Sequence, residues 1–384
     1  VASKPTIFLT AAEASGDEHA SHLVRALRER LGEARFVGAA GPKMQAAGCE
    51  SIVDLTGQAS MIAGPLLKLR YYRRMVRLLQ RKIDEIRPDV VVPTDSPALN
   101  WHICAAARKC GVKVMYYVAP QVWAWAPWRV KKLARLTDAV ACILPFEQDY
   151  LRARGVNATF VGHPLCDTLP DRPDPMPDLL GAWADGTWRV AMLPGSRSGE
   201  MARHAGMMVA VARRLRQRWP GATTVLCPPT EAAEAKLRSL VGEALDEEGI
   251  EVAVGRMREE LARSHFALTV SGTATLEVAH FGVPMVVVYC VNRMMYKSLG
   301  RWLIRTPHFS LPNIVAGGPV VPELVPWFGN VDEVSRAVFE NLDDLGELVE
   351  TRKSLTNLVD SLYPPGGRSA SANTAELVAG LIGR

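Results

Sequence analysis

"DVVVPTDSPALN", residues 89–100, decides how the chain is read. Val90, Val91 and Val92 form a continuous apolar run with no polar alternation, the pattern of a strand covered on both faces. The run ends on Pro93, Thr94, Asp95, Ser96 and Pro97. Asp and Ser ahead of a proline make a good turn or helix N-cap, which would account for Asp95 without any chemistry. The sharper reading is that open α/β sheets place their reactive groups just beyond the carboxyl ends of their strands, and Asp95 sits at such an end.

The same pattern extends outward in both directions. "PTIFLTA" (5–11), "RFVGAA" (35–40), "VKVMYYV" (112–118), "DAVACIL" (138–144) and "ATFVG" (158–162) read as further strands of a first half. "WRVAMLP" (188–194), "TTVLC" (223–227), "IEVAV" (250–254), "FALTVS" (266–271) and "PMVVVY" (284–289) do so in a second. Helical patterns lie between them, so parallel sheets with helices on both sides are expected. "DTLPDRPDPMPDLLGAWADGTW" (167–188) is a Pro and Asp cluster with little periodicity and reads as a linker. The expected fold is α/β, two doubly wound Rossmann-like domains facing a cleft. Residues 1–166 form the first domain, 167–187 the linker, 188–365 the second domain and 366–384 a C-terminal helix.

Composition narrows the class. A chain of 384 residues with 48% hydrophobic content can bury a large core split into two domains. No apolar run approaches the roughly 20 residues that span a bilayer, and no export signal is recognisable. Cys49, Cys104, Cys110, Cys142, Cys166, Cys227 and Cys290 are scattered and include no C-x-x-C pair, so neither a disulfide framework nor a zinc site is indicated. His19 and His22 form a lone i, i+3 pair with no third ligand, so no metal site is expected there. A reducing cytoplasm fits this pattern.

The net charge of +5 is modest, but its distribution is not. In "KLRYYRRMVRLLQRKI" (68–83), Tyr72, Met75, Val76, Leu79 and Ile83 recur at helical spacing, with Arg70, Arg73, Arg74, Arg77 and Arg81 on the opposite face. An ordinary surface helix would solvate those arginines. The apolar "ASMIAGPLL" (59–67) just before it, with Met61, Ile62 and Leu66, suits an anionic lipid surface instead. Nucleic acid is not an expected partner, because aromatic and basic residues are not interleaved.

Loops after the strands carry the remaining candidates. "AAEASGDEHASHL" (11–23) offers Ser15, Gly16 and Asp17 as turn and cap, and leaves Glu13 to position a hydroxyl. "MLPGSRSGE" (192–200) places Gly195, Ser196 and Arg197 directly after a strand, and "SGTATLE" (271–277) repeats the device. Small residues admit backbone amides to an anion, a helix amino terminus adds partial positive charge, and arginine adds a fixed cation. Together they read as a diphosphate cradle. Neither loop is a G-x-G-x-x-G fingerprint or a P-loop, which disfavours dinucleotides and ATP.

Taken in order, "AAEASGDEH", "GAAGPKMQAAG", "PTDSPALN", "YYVAPQVWAW", "LPFE", "FVGHPL", "LPGSRSGE", "SGTATLE" and "SLPNIVAG" resemble the lipid-A-disaccharide synthase family of GT-B glycosyltransferases over nearly the whole chain. The resemblance implies an inverting enzyme that joins UDP-2,3-diacylglucosamine to 2,3-diacylglucosamine 1-phosphate (lipid X). Its products would be the β(1→6) disaccharide 1-phosphate of lipid A and UDP, formed without a cofactor or metal. It implies a cytoplasmic protein, peripheral on the anionic inner membrane of a Gram-negative cell, with homo-oligomerisation allowed. The first domain would bind the acceptor and face the membrane through Met61, Ile62, Leu66, Arg73, Arg74 and Arg77; the second would bind the UDP-sugar. Asp95 would be the general base, with Glu13, Ser15, Gly16 and Asp17 near the acceptor. Gly195, Ser196, Arg197, Ser271, Gly272, Thr273, Glu277, Asn313 and Glu323 would hold UDP, Glu323 through the ribose hydroxyls. Ala12 replaces a usual glycine, "AWAPWRV" is unusually aromatic, and Pro326 and Trp327 stand where a glutamine is common. Another GT-B enzyme acting on UDP-N-acetylglucosamine, or a non-catalytic lipid-binding protein, are the alternatives.

Overall fold

The computed structural model describes residues 4–56, 65–291 and 306–384. The chain forms two units: residues 1–168 with 362–384, and residues 169–361.

In the first unit seven parallel strands form one sheet: β1 (Thr6–Thr10), β2 (Arg35–Ala39), β3 (Glu50–Val53), β4 (Val90–Pro93), β5 (Lys113–Tyr117), β6 (Ala139–Cys142) and β7 (Ala158–Phe160). Their spatial order is β3-β2-β1-β4-β5-β6-β7. Side chains alternate between two cores. Phe8, Val91, Val114, Tyr116 and Val140 face one of them. Ile7, Leu9, Val90, Val92, Met115 and Tyr117 face the other. Both faces are covered, which is why the valines of β4 run without polar interruption. Helices α3 (Pro65–Ile86) and α4 (Pro97–Lys109) cover the first face, α1 (Ala14–Leu31) the second. Short helices α2 (Pro42–Ala46), α5 (Val122–Trp125), α6 (Val130–Leu136) and α7 (Pro145–Arg152) fill the connections.

Helix α3 buries Val76, Leu79 and Ile83, with Tyr72 and Met75 packed alongside, while Arg70, Arg73, Arg74 and Arg77 are exposed. Its apolar stripe is therefore core, as an ordinary surface helix requires. Met61 and Ile62 lie outside the described residues, and Leu66 falls in the first turn of α3.

The second unit repeats the plan with β8 (Arg189–Leu193), β9 (Thr223–Leu226), β10 (Glu251–Val252), β11 (Phe266–Val270), β12 (Met285–Cys290) and β13 (Glu323–Trp327), in the order β10-β9-β8-β11-β12-β13. Its helices are α8 (Leu179–Asp185), α9 (Ser198–Arg218), α10 (Glu231–Glu247), α11 (Met257–Leu261), α12 (Ala274–His280), α13 (Leu311–Ala316), α14 (Val331–Asp343) and α15 (Leu345–Asp360). Helix α8, capped by Asp178, lies within the stretch expected to be a linker. The final helix, α16 (Ala370–Ile382), returns to the first unit, where Ala375 and Val378 join the core around Ile7 and Leu9. Asp167 caps it, accepting hydrogen bonds from the amides of Ala370 (2.7 Å) and Ser371 (3.1 Å).

Strands β3 and β13 were not expected from sequence. Both are edge strands, β3 short and charged at Glu50, β13 interrupted by Pro326. A proline is tolerated at an edge because no ladder bond is needed from its nitrogen.

Candidate active site

The order of each sheet reverses at one place, between β1 and β4 in the first unit and between β8 and β11 in the second. Such a switch point leaves a crevice at the carboxyl ends of two diverging strands, where ligands of open α/β sheets bind. Glu13 follows β1, Asp95 follows β4, Gly195 follows β8 and Ser271 follows β11. The topology thus brings the expected residues of each unit to that unit's own switch point.

Asp95 and Ser96 have φ values of 49° and 40°, and Val118, after neighbouring β5, has 53°. Non-glycine residues in this left-handed region cost of order 1–3 kcal/mol each and persist only where the surroundings over-determine them. Here the surroundings do so. Asp95 donates its amide to the Tyr117 carbonyl (3.1 Å), and its own carbonyl accepts from the Tyr116 hydroxyl (2.8 Å) and the Asn100 amide (2.5 Å). Asn100 also donates to the Thr94 carbonyl and accepts from the Thr10 hydroxyl (2.7 Å), fixing its orientation. The turn-and-cap reading of Asp95 and Ser96 is only half met: Ser96 occupies the N-cap position of α4, yet its side chain makes no capping bond. Its hydroxyl and that of Thr94 are buried without a hydrogen-bond partner.

Burial raises the pKa of Asp95 above the ordinary carboxylate value, the Ser96 amide pulls it down, and the negative charge of Glu13 pushes it up again. Helix α1 packs close to this turn at Gly16, where even a Cβ would make only ordinary contacts. A Cβ there would stand 3.6 Å from the Ala11 Cβ, 3.8 Å from the Thr94 carbonyl and 3.9 Å from the Asp95 Cβ. Glu13 and Ser15 are exposed at the start of the same helix. Asp17 has a structural task on that helix. It is buried, and its two oxygens accept from the amides of Lys43 (2.9 Å) and Met44 (3.1 Å), so it braces the loop after β2.

Asp95 lines a cavity of about 330 Å³ with Pro97, Val118, Ala119, Pro120, Gln121, Ile143 and Glu147. Glu147 was not singled out from sequence. Its signal was present: a glutamate at the third position of a helix that opens on Pro145 reaches back to the helix's first free amides. Burial pushes its carboxyl up to about 7, against hydrogen bonds from Trp123, Leu144 and Ile143 that pull it down.

In the second unit Gly195 has φ 99°, and a Cβ there would fall 2.7 Å from Glu200 Oε2 and 3.3 Å from Val270 Cγ2. Only glycine fits between the two loops. Arg197 occupies the N-cap position of α9; its guanidinium donates to Glu200 (3.1 Å) and its side chain is 74% exposed. Ser196, Gly272 and Thr273 are exposed, and nothing lies within 4 Å of a Cβ built on Gly272. Ser271 donates to the Phe309 carbonyl (3.1 Å), tying this loop to the start of α13. Glu323 accepts from the amides of Phe309 (3.1 Å) and Ser310 (2.7 Å). Asn313 is buried, accepts from Val320 (2.7 Å) and Val321 (2.9 Å), and donates to the Val321 carbonyl (2.8 Å). These bonds make Asn313 a brace of the wall formed by residues 320 and 321. Glu277 accepts from Arg258 (2.6 Å). Trp327 is buried against His204, with ring centroids 6.3 Å apart, and donates its indole proton to the Asn330 carbonyl, so it fills the core where a nucleotide contact was in question.

Solved structures share this architecture. The calicheamicin glycosyltransferase CalG4 superposes with a TM-score of 0.61 at 18% identity, covering 100% of this chain and 99% of that one. A Staphylococcus aureus MnaA–UDP co-structure gives 0.58 at 15%, covering 98% and 95%. The fold defines a class, the GT-B glycosyltransferase architecture. Sequence then gives the family: residues 7–378 match the model of lipid-A-disaccharide synthetase. Lipid-A-disaccharide synthase of Geobacter metallireducens is 35% identical over 384 residues, covering 98% of this chain and 97% of that one. The Pseudomonas paraeruginosa enzyme is also 35% identical, covering 100% of both. The chain belongs to the lipid-A-disaccharide synthase family, glycosyltransferases of lipid A biosynthesis.

Proposed function

We propose that the chain transfers the diacylglucosamine unit of UDP-2,3-diacylglucosamine to the 6-hydroxyl of 2,3-diacylglucosamine 1-phosphate, forming a β(1→6) disaccharide 1-phosphate and UDP. The observation that carries this reading is Asp95, a carboxylate held in strained geometry at a switch point, with its pKa raised, on the wall of a cavity. A general base works best when its pKa approaches the operating pH. Asp95 takes the proton of the acceptor hydroxyl as its oxygen attacks the anomeric carbon. The bond from that carbon to the diphosphate oxygen breaks, its electron pair leaves with UDP, and configuration inverts with no covalent intermediate. Amides and small side chains of Gly195, Ser196, Ser271, Gly272 and Thr273, the amino terminus of α9 and the Arg197 cation stabilise the leaving diphosphate. Glu323, Asn313 and Glu277 support that cradle through α13 and Arg258.

The acyl chains of both substrates demand access to a bilayer. We read the exposed Arg70, Arg73, Arg74, Arg77 and Arg81 of α3 as the contact with an anionic cytoplasmic membrane surface. Trp128, 61% exposed beside α6, suits the same interface. Among the described residues no helix is long and apolar enough to cross a membrane. The test is mass spectrometry of the purified protein incubated with UDP-2,3-diacylglucosamine and lipid X. A tetra-acyl disaccharide 1-phosphate with stoichiometric UDP is expected. Absence of that product, with UDP-N-acetylglucosamine consumed when supplied in a parallel incubation, would overturn the reading.

A further inference from the structure

We propose that Glu147 is a positioning residue for the transfer: through Trp123 it fixes the loop that walls the Asp95 cavity, and so sets how the acceptor lies against the base. The proposal rests on Asp95 being that base. Glu147 Oε2 accepts from the amides of Ile143 (3.3 Å) and Leu144 (3.1 Å), and Oε1 accepts from Trp123 Nε1 (2.9 Å). Ile143 and Leu144 follow β6, whereas Trp123 belongs to α5 after β5, and these two strands are paired through Tyr116 and Val140. One carboxylate therefore joins the loops at two adjacent strand ends. Both loops line the cavity, Val118, Ala119, Pro120 and Gln121 from the first, Ile143 and Glu147 from the second.

Capping α7 needs only the two backbone bonds. The third, to an indole 24 positions earlier, does nothing for the helix. A carboxylate only 2% exposed is costly unless fully bonded, so this arrangement is retained against a burial penalty. The Trp123 ring is held from a second side by Phe146, edge to face with centroids 5.1 Å apart. Val118, strained at φ 53°, sits in the loop that Trp123 anchors, four residues after Val114 pairs with β4. A β-branched residue leaves that conformation readily unless its surroundings forbid it. Release of Trp123 would let the wall formed by residues 118–121 relax away from Asp95.

The test uses the purified full chain with lipid X varied at saturating UDP-sugar, comparing Glu147→Gln, Trp123→Phe and the double variant with the parent. Trp123→Phe removes the indole donor outright, and Glu147→Gln leaves one acceptor oxygen where three donors had two, so the cross-loop bond is lost or weakened in each. We expect the acceptor KM to rise about 5- to 30-fold in both, with kcat changed less than about 3-fold, the pattern of lost uniform binding. UDP affinity by calorimetry should be unchanged, and the double variant should be no worse than the poorer single, since both remove one bond. An unchanged acceptor KM in Trp123→Phe would reduce Glu147 to a helix cap and overturn the proposal; this variant decides alone if Glu147→Gln fails to fold. Asp95→Asn, assayed alongside, keeps the two readings apart. Turnover surviving there removes the base and the proposal with it, whereas turnover lost there with unchanged KM in the other two removes only the role of Glu147.

Discussion

At Asp95 burial raises the carboxyl's pKa most, and the charge of Glu13 adds to it. Because the negative charge of Glu13 raises its pKa, Glu13→Gln should lower it and move the acid limb of the kcat/KM profile to lower pH. An unmoved limb would separate Glu13 from the base. Asp95→Asn should cut kcat by about 10²- to 10⁴-fold with UDP affinity intact, since in the proposed reaction the base acts in the transition state and the other unit holds UDP. Arg197→Ala should weaken UDP by about 1.5 to 3 kcal/mol, the range for a hydrogen bond to a charged group, read by calorimetry. Glu147 carries a stability signature as well. Its carboxyl is raised from 4.5 to about 7, so between those values the native state binds more protons than the unfolded chain. Its contribution is therefore present below pH 4.5 and is lost as pH rises through about 7. Urea unfolding at pH 5 and pH 8 should show a smaller difference in Glu147→Gln than in the parent.

At the scale of elements, the two faces of α3 answer to different solvents. Leu79 is fully buried, so Leu79→Ala should cost about 2–5 kcal/mol of stability while leaving the exposed arginines proposed to meet vesicles untouched. Replacing Arg73, Arg74 and Arg77 by Gln should do the reverse. Stability should change little, while co-sedimentation with anionic vesicles falls by about 1 kcal/mol per residue and loses its salt dependence. Unchanged sedimentation at low salt would return the arginines to ordinary solvated surface. Sequence periodicity found this helix and its two faces, because a 3.6-residue repeat is local information. It could not find β13, where Pro326 argues against a strand until the sheet edge beside β12 is known to be open.

For the whole molecule, the last helix matters most. It follows the second unit in sequence yet packs in the first, with Ala375 and Val378 buried beside Ile7 and Leu9 and its amino terminus capped by Asp167. Deleting residues 362–384 should expose α1 and β1 to hydrogen exchange and leave protection around β8 and β11 unchanged. Equal loss of protection in both units would contradict the division of the chain into separately packed bodies. The sequence boundary at 366 could not anticipate this return, since nothing in α16 itself names the surface it covers.

What the sequence determined by itself was whatever depends on neighbours in the chain. Continuous valine runs such as Val90–Val92 declared parallel strands covered on both sides, and the residues just beyond them, Asp95, Gly195 and Ser271, declared the strand ends. Tertiary structure decided what those ends face. The switch points exist only in the strand orders, which bring Glu13 beside Asp95 and Gly195 beside Val270. Asp17 and Asn313 are tied to distant chain as well: backbone amides 26 and 27 residues away donate to the first, and amides 7 and 8 residues away to the second. Local sequence accounts for Glu147 only as far as one oxygen, which accepts from the Ile143 and Leu144 amides; the other accepts from Trp123. A hydrogen bond between distant residues is fixed by which strands lie side by side, and strand adjacency is a property of the folded sheet.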